Sequence, residues 1–296
     1  MDHEGKFRRA ALALGVPDDE ISGFFKHLRL AIRLGGSRGG DAGRFGGLPR
    51  LPVGEDWPSH KGVRLPFIFS VDCAALPEAV GFGLPADGSL LFFLDYEEDH
   101  LASAAGDTGY ARVVHVPAGA ETAEAEPLDT DVIGEQYDVS ATLVADLPDW
   151  LAEDENEDDE DEDEDDDPSP FQEQLARDRE RDFPHLEVLR ALAYDLWPQG
   201  QGLASAYMGE YVEDELMTGI AEQVLAGREK AGEIVVPMAR WYTEVEKEKH
   251  RLASEWISLA DFLTDSEVYY GRFVIHRDDL AAGRLDKAIS ATKFTE

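Results

Sequence analysis

The stretch GRFGGLPRLPVGEDWP, residues 43–58, holds residue types that could recognise a ligand. Gly46 and Gly47 would let the backbone approach it, Arg44 or Arg50 would pair with an anion, and Trp57 would offer a stacking face. The same residues also suit a corner of a fold. Gly-Gly before a proline fixes a tight turn, Pro52 and Pro58 stiffen an extended arm, and an indole fills a core. The spacing matches neither a Walker loop nor a dinucleotide fingerprint, because no lysine–serine/threonine pair and no strand–turn–helix frame follows. The corner is therefore the preferred reading.

Other chemistry-bearing residues are scattered. Cys73 beside Asp72 could be a nucleophile, yet a cysteine in an apolar strand reads first as packing. Asp72, Asp95, Glu97, Glu98 and Asp99 could pair carboxylates for proton transfer or a hard cation, but DYEED after a strand reads more simply as a solvated turn. No two of the eight histidines have the i, i+4 spacing of a helical metal pair, and one cysteine cannot build a zinc cluster. No metal and no cofactor is expected. GGSRGG (35–40) could cradle an anion but reads as a glycine linker. The Gly35-Gly36-Ser37-Arg38-Gly39 string follows a predicted helix, whereas a nucleophile elbow needs a strand before it.

Charge is the strongest compositional signal. The 296 residues carry 27 bases against 63 acids, a net −36. Residues 153–167 hold fourteen of those acids and no base, and the rest of the chain is still at −22. Direct nucleic-acid binding is disfavoured, since it needs positive charge to displace counterions. A basic protein partner fits, and the tract residues Glu153, Asp154, Asp158, Asp159, Asp161, Asp163, Asp165, Asp166 and Asp167 are its candidate contacts. No membrane span is expected, because no run of about 18 apolar residues occurs. The N-terminus lacks a signal-peptide pattern, and a lone cysteine fits a reducing cytoplasm.

Elements that would position these residues can be read from periodicity and punctuation. Residues 17–34 read as a helix with Pro17 and two aspartates in its first turn. Strands are expected over 63–73, 90–94 and 110–117, with a further strand and a short amphipathic piece in 139–151. The acidic tract has like charges and no apolar surface, so it is expected to be disordered. Helices follow over 171–196, with a break near Pro184, then over 209–227 and 236–256. The last forty residues return to β structure around a DDLAAG turn or short helix. This divides the chain into an N-terminal helix and linker (1–39), a first sheet unit (40–151), an acidic linker (152–168), and helices with a second sheet unit (169–296).

The two halves echo each other. FIFSVD (67–72) precedes GSLLFFLDYEED, and 183 to 189 residues later WISLAD (256–261) precedes YGRFVIHRDDL. In each, an apolar strand ends in Asp, then come a turn, a Gly, a second apolar strand and acids.

The run Arg44-Phe45-Gly46-Gly47-Leu48-Pro49, Leu51-Pro52, Trp57-Pro58, Asp72, Leu76-Pro77 and Gly88 with Leu90-Leu91-Phe92-Phe93 resembles the bacterial YwqG-like family. So does Gly271-Arg272-Phe273-Val274-Ile275 with Asp278-Asp279-Leu280-Ala281-Ala282-Gly283 and Asp286. The chain departs from the family at Ser70, where Gln is usual, in lacking a second Gly-Gly-aromatic-Pro element, and in carrying the acidic tract. The resemblance implies an α+β fold with a duplicated, mixed or antiparallel sheet and flanking helices. It brings no agreed activity. Some members occur beside secreted toxins as candidate immunity or accessory proteins.

The expectation is thus a non-enzymatic protein-binding module. Two alternatives stand beside it: an enzyme or small-ligand binder with a cleft between the sheet units, lined by Arg44, Gly46, Gly47, Trp57, Asp72 and Asp261, and a nucleic-acid mimic.

Overall fold

The computed structural model describes residues 2–35, 40–79, 81–102, 108–128, 131–152, 169–264 and 269–294. Among these residues eight α-helices and fourteen strands make an α+β composition around a large antiparallel sheet. The helices are α1 (His3–Ala13), α2 (Asp18–Phe25), α3 (Tyr96–Ala102), α4 (Pro170–Asp182), α5 (Leu186–Leu196), α6 (Asp214–Lys230), α7 (Trp241–Leu252) and α8 (Arg277–Ala281). The strands are β1 (Arg29–Gly35), β2 (Gly43–Phe45), β3 (Arg50–Pro52), β4 (Ser59–His60), β5 (Val63–Arg64), β6 (Phe67–Asp72), β7 (Ser89–Leu94), β8 (Ala111–Val116), β9 (Thr122–Glu124), β10 (Tyr137–Asp146), β11 (Ala204–Met208), β12 (Trp256–Leu263), β13 (Tyr269–His276) and β14 (Ile289–Phe294).

Ten strands form one sheet in the order β14-β13-β12-β11-β1-β10-β2-β6-β7-β8, and β3-β9 and β4-β5 form two small sheets. Both copies of the sequence echo, β6–β7 and β12–β13, lie within this one sheet. The chain divides into two compact units interleaved in sequence. One comprises Met1–Arg29, Ala145–Pro198 and Tyr211–Trp256; the other comprises Leu30–Val144, Gln199–Glu210 and Ile257–Glu296.

The sheet unit is built by alternation. Along β6, Phe67, Phe69 and Val71 are buried while Ile68 and Ser70 are half-buried and Asp72 is exposed. Phe69 stacks on Phe45 at 4.7 Å and on Phe92 at 4.3 Å, one neighbour strand on each side. It also meets Phe262 of β12 edge-on at 5.4 Å, and Phe92 meets Phe273 of β13 in the same way. The sheet therefore curls until the two echo hairpins face each other across an aromatic core. Gly271 stands where they close: a Cβ there would lie 2.6 Å from both Leu94 and Phe262 side-chain carbons.

The helical unit starts with α1, whose Phe7 stacks on Phe24 of α2 at 5.7 Å. The expected break near Pro184 is real. A capping box at Ser169 and Gln172 starts α4, and α5 begins after His185. The amide of His185 donates to the buried Glu20 carboxylate from α2 at 2.7 Å.

The expected helix over residues 17–34 is corrected. Residues 17–34 are not one helix: α2 stops at Phe25 and β1 begins at Arg29. Leu30, Ile32 and Leu34 repeat every second residue, and pairing with β11 at Ile32↔Met208 and Leu34↔Ala206 outweighs the helical reading of the same apolar spacing.

Candidate functional site

The glycine-proline stretch lies in the sheet unit. Arg44 sits on β2, in register with Ser70 of β6 and Asp138 of β10. Its guanidinium donates to the Leu48 carbonyl at 2.6 Å, and its Nε is buried without a partner among the described residues. Gly46 and Gly47 have φ of 60° and 69°. Their amides donate to Ile68 and Gly134 carbonyls at 2.8 and 3.0 Å. Both amides are therefore engaged by the protein itself, as a corner requires.

Trp57 is 6% exposed, and its indole N–H donates to the Leu65 carbonyl at 2.8 Å. It packs edge-on to Phe93 with Leu51, Leu65, Phe67, Leu91 and Val116 around it. Asp72 caps the turn after β6 by accepting from the Ala74 amide at 2.9 Å. Asp261 of β12 pairs with Arg272 of β13, accepting from its Nε at 2.6 Å. No hydrogen bond or ion pair among the described residues joins Arg44, Trp57, Asp72 and Asp261 to one another. Strands β11, β1 and β10 stand between Asp261 on β12 and Arg44 on β2. Residues 153–167 lie outside the described residues.

Two concavities stand near these groups. One, of about 350 Å³, is bounded by Ile32, Cys73, Leu76–Ala79 and Phe82–Ala86, with Glu78 the one acid among the described lining residues. Burial, and next the charge of Asp72, push the Cys73 thiol up to about 11, which favours the protonated thiol at neutral pH. The other, of about 230 Å³, runs between the Leu51–Trp57 segment and Ala123–Glu126. Arg64 at its wall lies over the Trp57 ring at 5.1 Å and pairs with Asp131 at 3.0 Å. Sequence reasoning missed Arg64 and Asp131, which lie 67 residues apart with no motif linking them.

DYEED is not a solvated turn. Four of its residues begin α3, and Asp99 is fully buried, accepting from Ser290 Oγ at 2.6 Å and Thr292 Oγ1 at 2.8 Å on β14. Burial pushes its carboxyl up and the two hydroxyls oppose this. It is a clasp between helix and strand. Asp99→Ala should cost about 2–3 kcal/mol by leaving two buried hydroxyls unmatched, with Asp99→Asn costing less. Urea unfolding of both variants checks this; equal stability of wild type and Asp99→Ala would contradict the clasp.

In the helical unit, His27 and His250 both lie against Trp150, at 4.9 and 5.6 Å between ring centres. Partial desolvation holds both imidazoles below their ordinary range, and for His27 the His250 charge adds to this. A depressed folded value means that folding releases protons. Stability from this pair is present above about pH 6.5 and falls as the pH drops below it. Asp146, pushed up to about 6 mainly by burial, acts in the opposite sense. Subtraction of a His27→Gln/His250→Gln variant cancels that contribution. Wild type should thus lose stability relative to the variant between about pH 7 and pH 5. A pH-independent difference in urea midpoints would refute the assignment.

The fold and its residues define an acidic α+β protein on a large antiparallel sheet. Among the described residues no group of three or more His, Cys, Asp or Glu side chains is placed to hold a metal ion. No helix among them is long and apolar enough to cross a membrane. Residues 43–292 match the model of a domain of unknown function, DUF1963, and the chain belongs to that family. No curated protein matches it.

Proposed function

We propose that this chain is a cytoplasmic, non-enzymatic protein-binding module, that its family is the YwqG-like one, and that its acidic surface docks a basic protein. An immunity or accessory role fits such a module. The observation that carries the reading is the net charge of −36, with fourteen acids in residues 153–167. Such a charge steers a basic partner over long range and repels nucleic acid. A second support is the use of the residues best suited to chemistry. The Gly46 and Gly47 amides, the Trp57 N–H, the Asp72 carboxylate and the Asp261–Arg272 pair each hold part of the scaffold.

The test is deletion of 153–167. A partner captured by cross-linking in cells and then purified should bind the deleted chain at least tenfold more weakly at low ionic strength, and the gap should narrow at high salt. Equal affinity of the two chains at every salt concentration would remove the acidic tract from the mechanism.

A further inference from the structure

We propose that the groove beside Trp57 is a docking site for a lysine or arginine side chain presented by a basic protein segment. This rests on the basic-partner reading above and adds a site outside the acidic tract.

The size of the groove selects the occupant first. At about 230 Å³ it falls below the roughly 300 Å³ at which small-molecule pockets begin, and it suits one long side chain. Its lining mixes apolar side chains, Leu51, Pro52, Val53, Trp57, Ala123 and Ala125, with polar groups. Four exposed acids also belong to its lining, Glu55 and Asp56 from the Leu51–Trp57 segment and Glu124 and Glu126 from the Ala123–Glu126 segment. The register Leu51↔Ala123 and Arg50↔Glu124 between β3 and β9 fixes the two sides relative to each other.

Charge selects it second. Among the described residues of the lining the one base, Arg64, is already paired with an acid. Its Nη1 lies 3.0 Å from Asp131 Oδ2, whose side chain is 4% exposed, and 2.9 Å from the Glu126 carbonyl. Four carboxylates are left facing solvent, which excludes an anionic occupant and attracts a cation. A lysine or arginine stem matches the apolar side chains of the lining, and its charged head matches the acids. Arg64 over Trp57 already illustrates the cation–π contact that this indole supports.

The experiment uses the full chain and two probes, a blocked hexa-arginine peptide and its uncharged hexa-citrulline counterpart, followed by amide NMR at about 150 mM salt. Hexa-arginine should shift the amides of residues 51–57 and 123–126, and hexa-citrulline should not. Glu124→Gln/Glu126→Gln should weaken hexa-arginine about fivefold or more, the loss of two charge pairs. Deletion of 153–167 should leave the groove shifts in place. Peptide binding whose shifts lie elsewhere, or whose affinity the double variant leaves unchanged, overturns the groove while the basic-partner reading stands. Failure of the full chain to bind hexa-arginine even at low salt overturns both.

Discussion

Phe69→Ala should lower the unfolding free energy of the sheet unit by about 3–5 kcal/mol, the cost of emptying a fully buried aromatic site. Phe69 has no exposed surface and touches three other rings: Phe45 and Phe92 at its sides, and Phe262 from the facing part of the sheet. Its loss removes both the lateral stack and the edge-on contact through which β6 meets Phe262 of β12. Phe69→Leu keeps most of the volume and should cost much less. At roughly 2–4 °C per kcal/mol for a body of this size, the alanine variant should melt at least 6 °C lower. A loss below about 1.5 kcal/mol would mean that the core closes without this residue.

Gly46→Ala carries the second large effect, and it bears on the question raised by the glycine-proline stretch. At φ of 60° a side chain is strained, and a Cβ would stand 2.2 Å from the Glu135 carbonyl oxygen, a backbone atom that cannot swing aside. The expected loss is about 3 kcal/mol or more, the left-handed strain plus a backbone shift. Gly54 is the matched control. It too has positive φ, 93°, but a Cβ there meets open space, so Gly54→Ala should cost only about 1–2 kcal/mol. The difference between the two variants isolates the backbone contact. If Gly46→Ala folds as stably as Gly54→Ala, the glycine pair is not the corner described here.

The sequence was most readable where one physical signal acted alone. β6, β7 and β8 followed from apolar runs bounded by Gly and Pro, and the α4–α5 break followed from Pro184. It misled where two periods coincided: in residues 29–35, Leu30, Ile32 and Leu34 serve a strand as well as a helix, and only the pairing with β11 decides. Strands β2 and β3 lie inside the glycine-proline stretch, three residues each, too short to show a period. At the level of single groups, the architectural role of Trp57 was legible from its prolines. The partners of Asp99 were not, since Ser290 and Thr292 lie more than 190 residues away. The same holds for the Trp57 groove, whose two sides are some 70 residues apart and meet only through the β3–β9 register.

The charge of the chain gives the account its functional content, and it makes a quantitative demand on any partner. Exposed carboxylates attract through a screened field with a reach of about 10 Å at 0.1 M salt and about 30 Å at 0.01 M. Association driven by them must weaken as salt rises, first through the on-rate. The direct measurement is the affinity of the intact chain for its captured partner across a series of ionic strengths from about 0.02 to 0.5 M. If charge carries the docking, affinity should decline steadily by at least tenfold, dominated by slower association. An affinity that stays level across the series, or that rises with salt as apolar contacts would make it do, contradicts it.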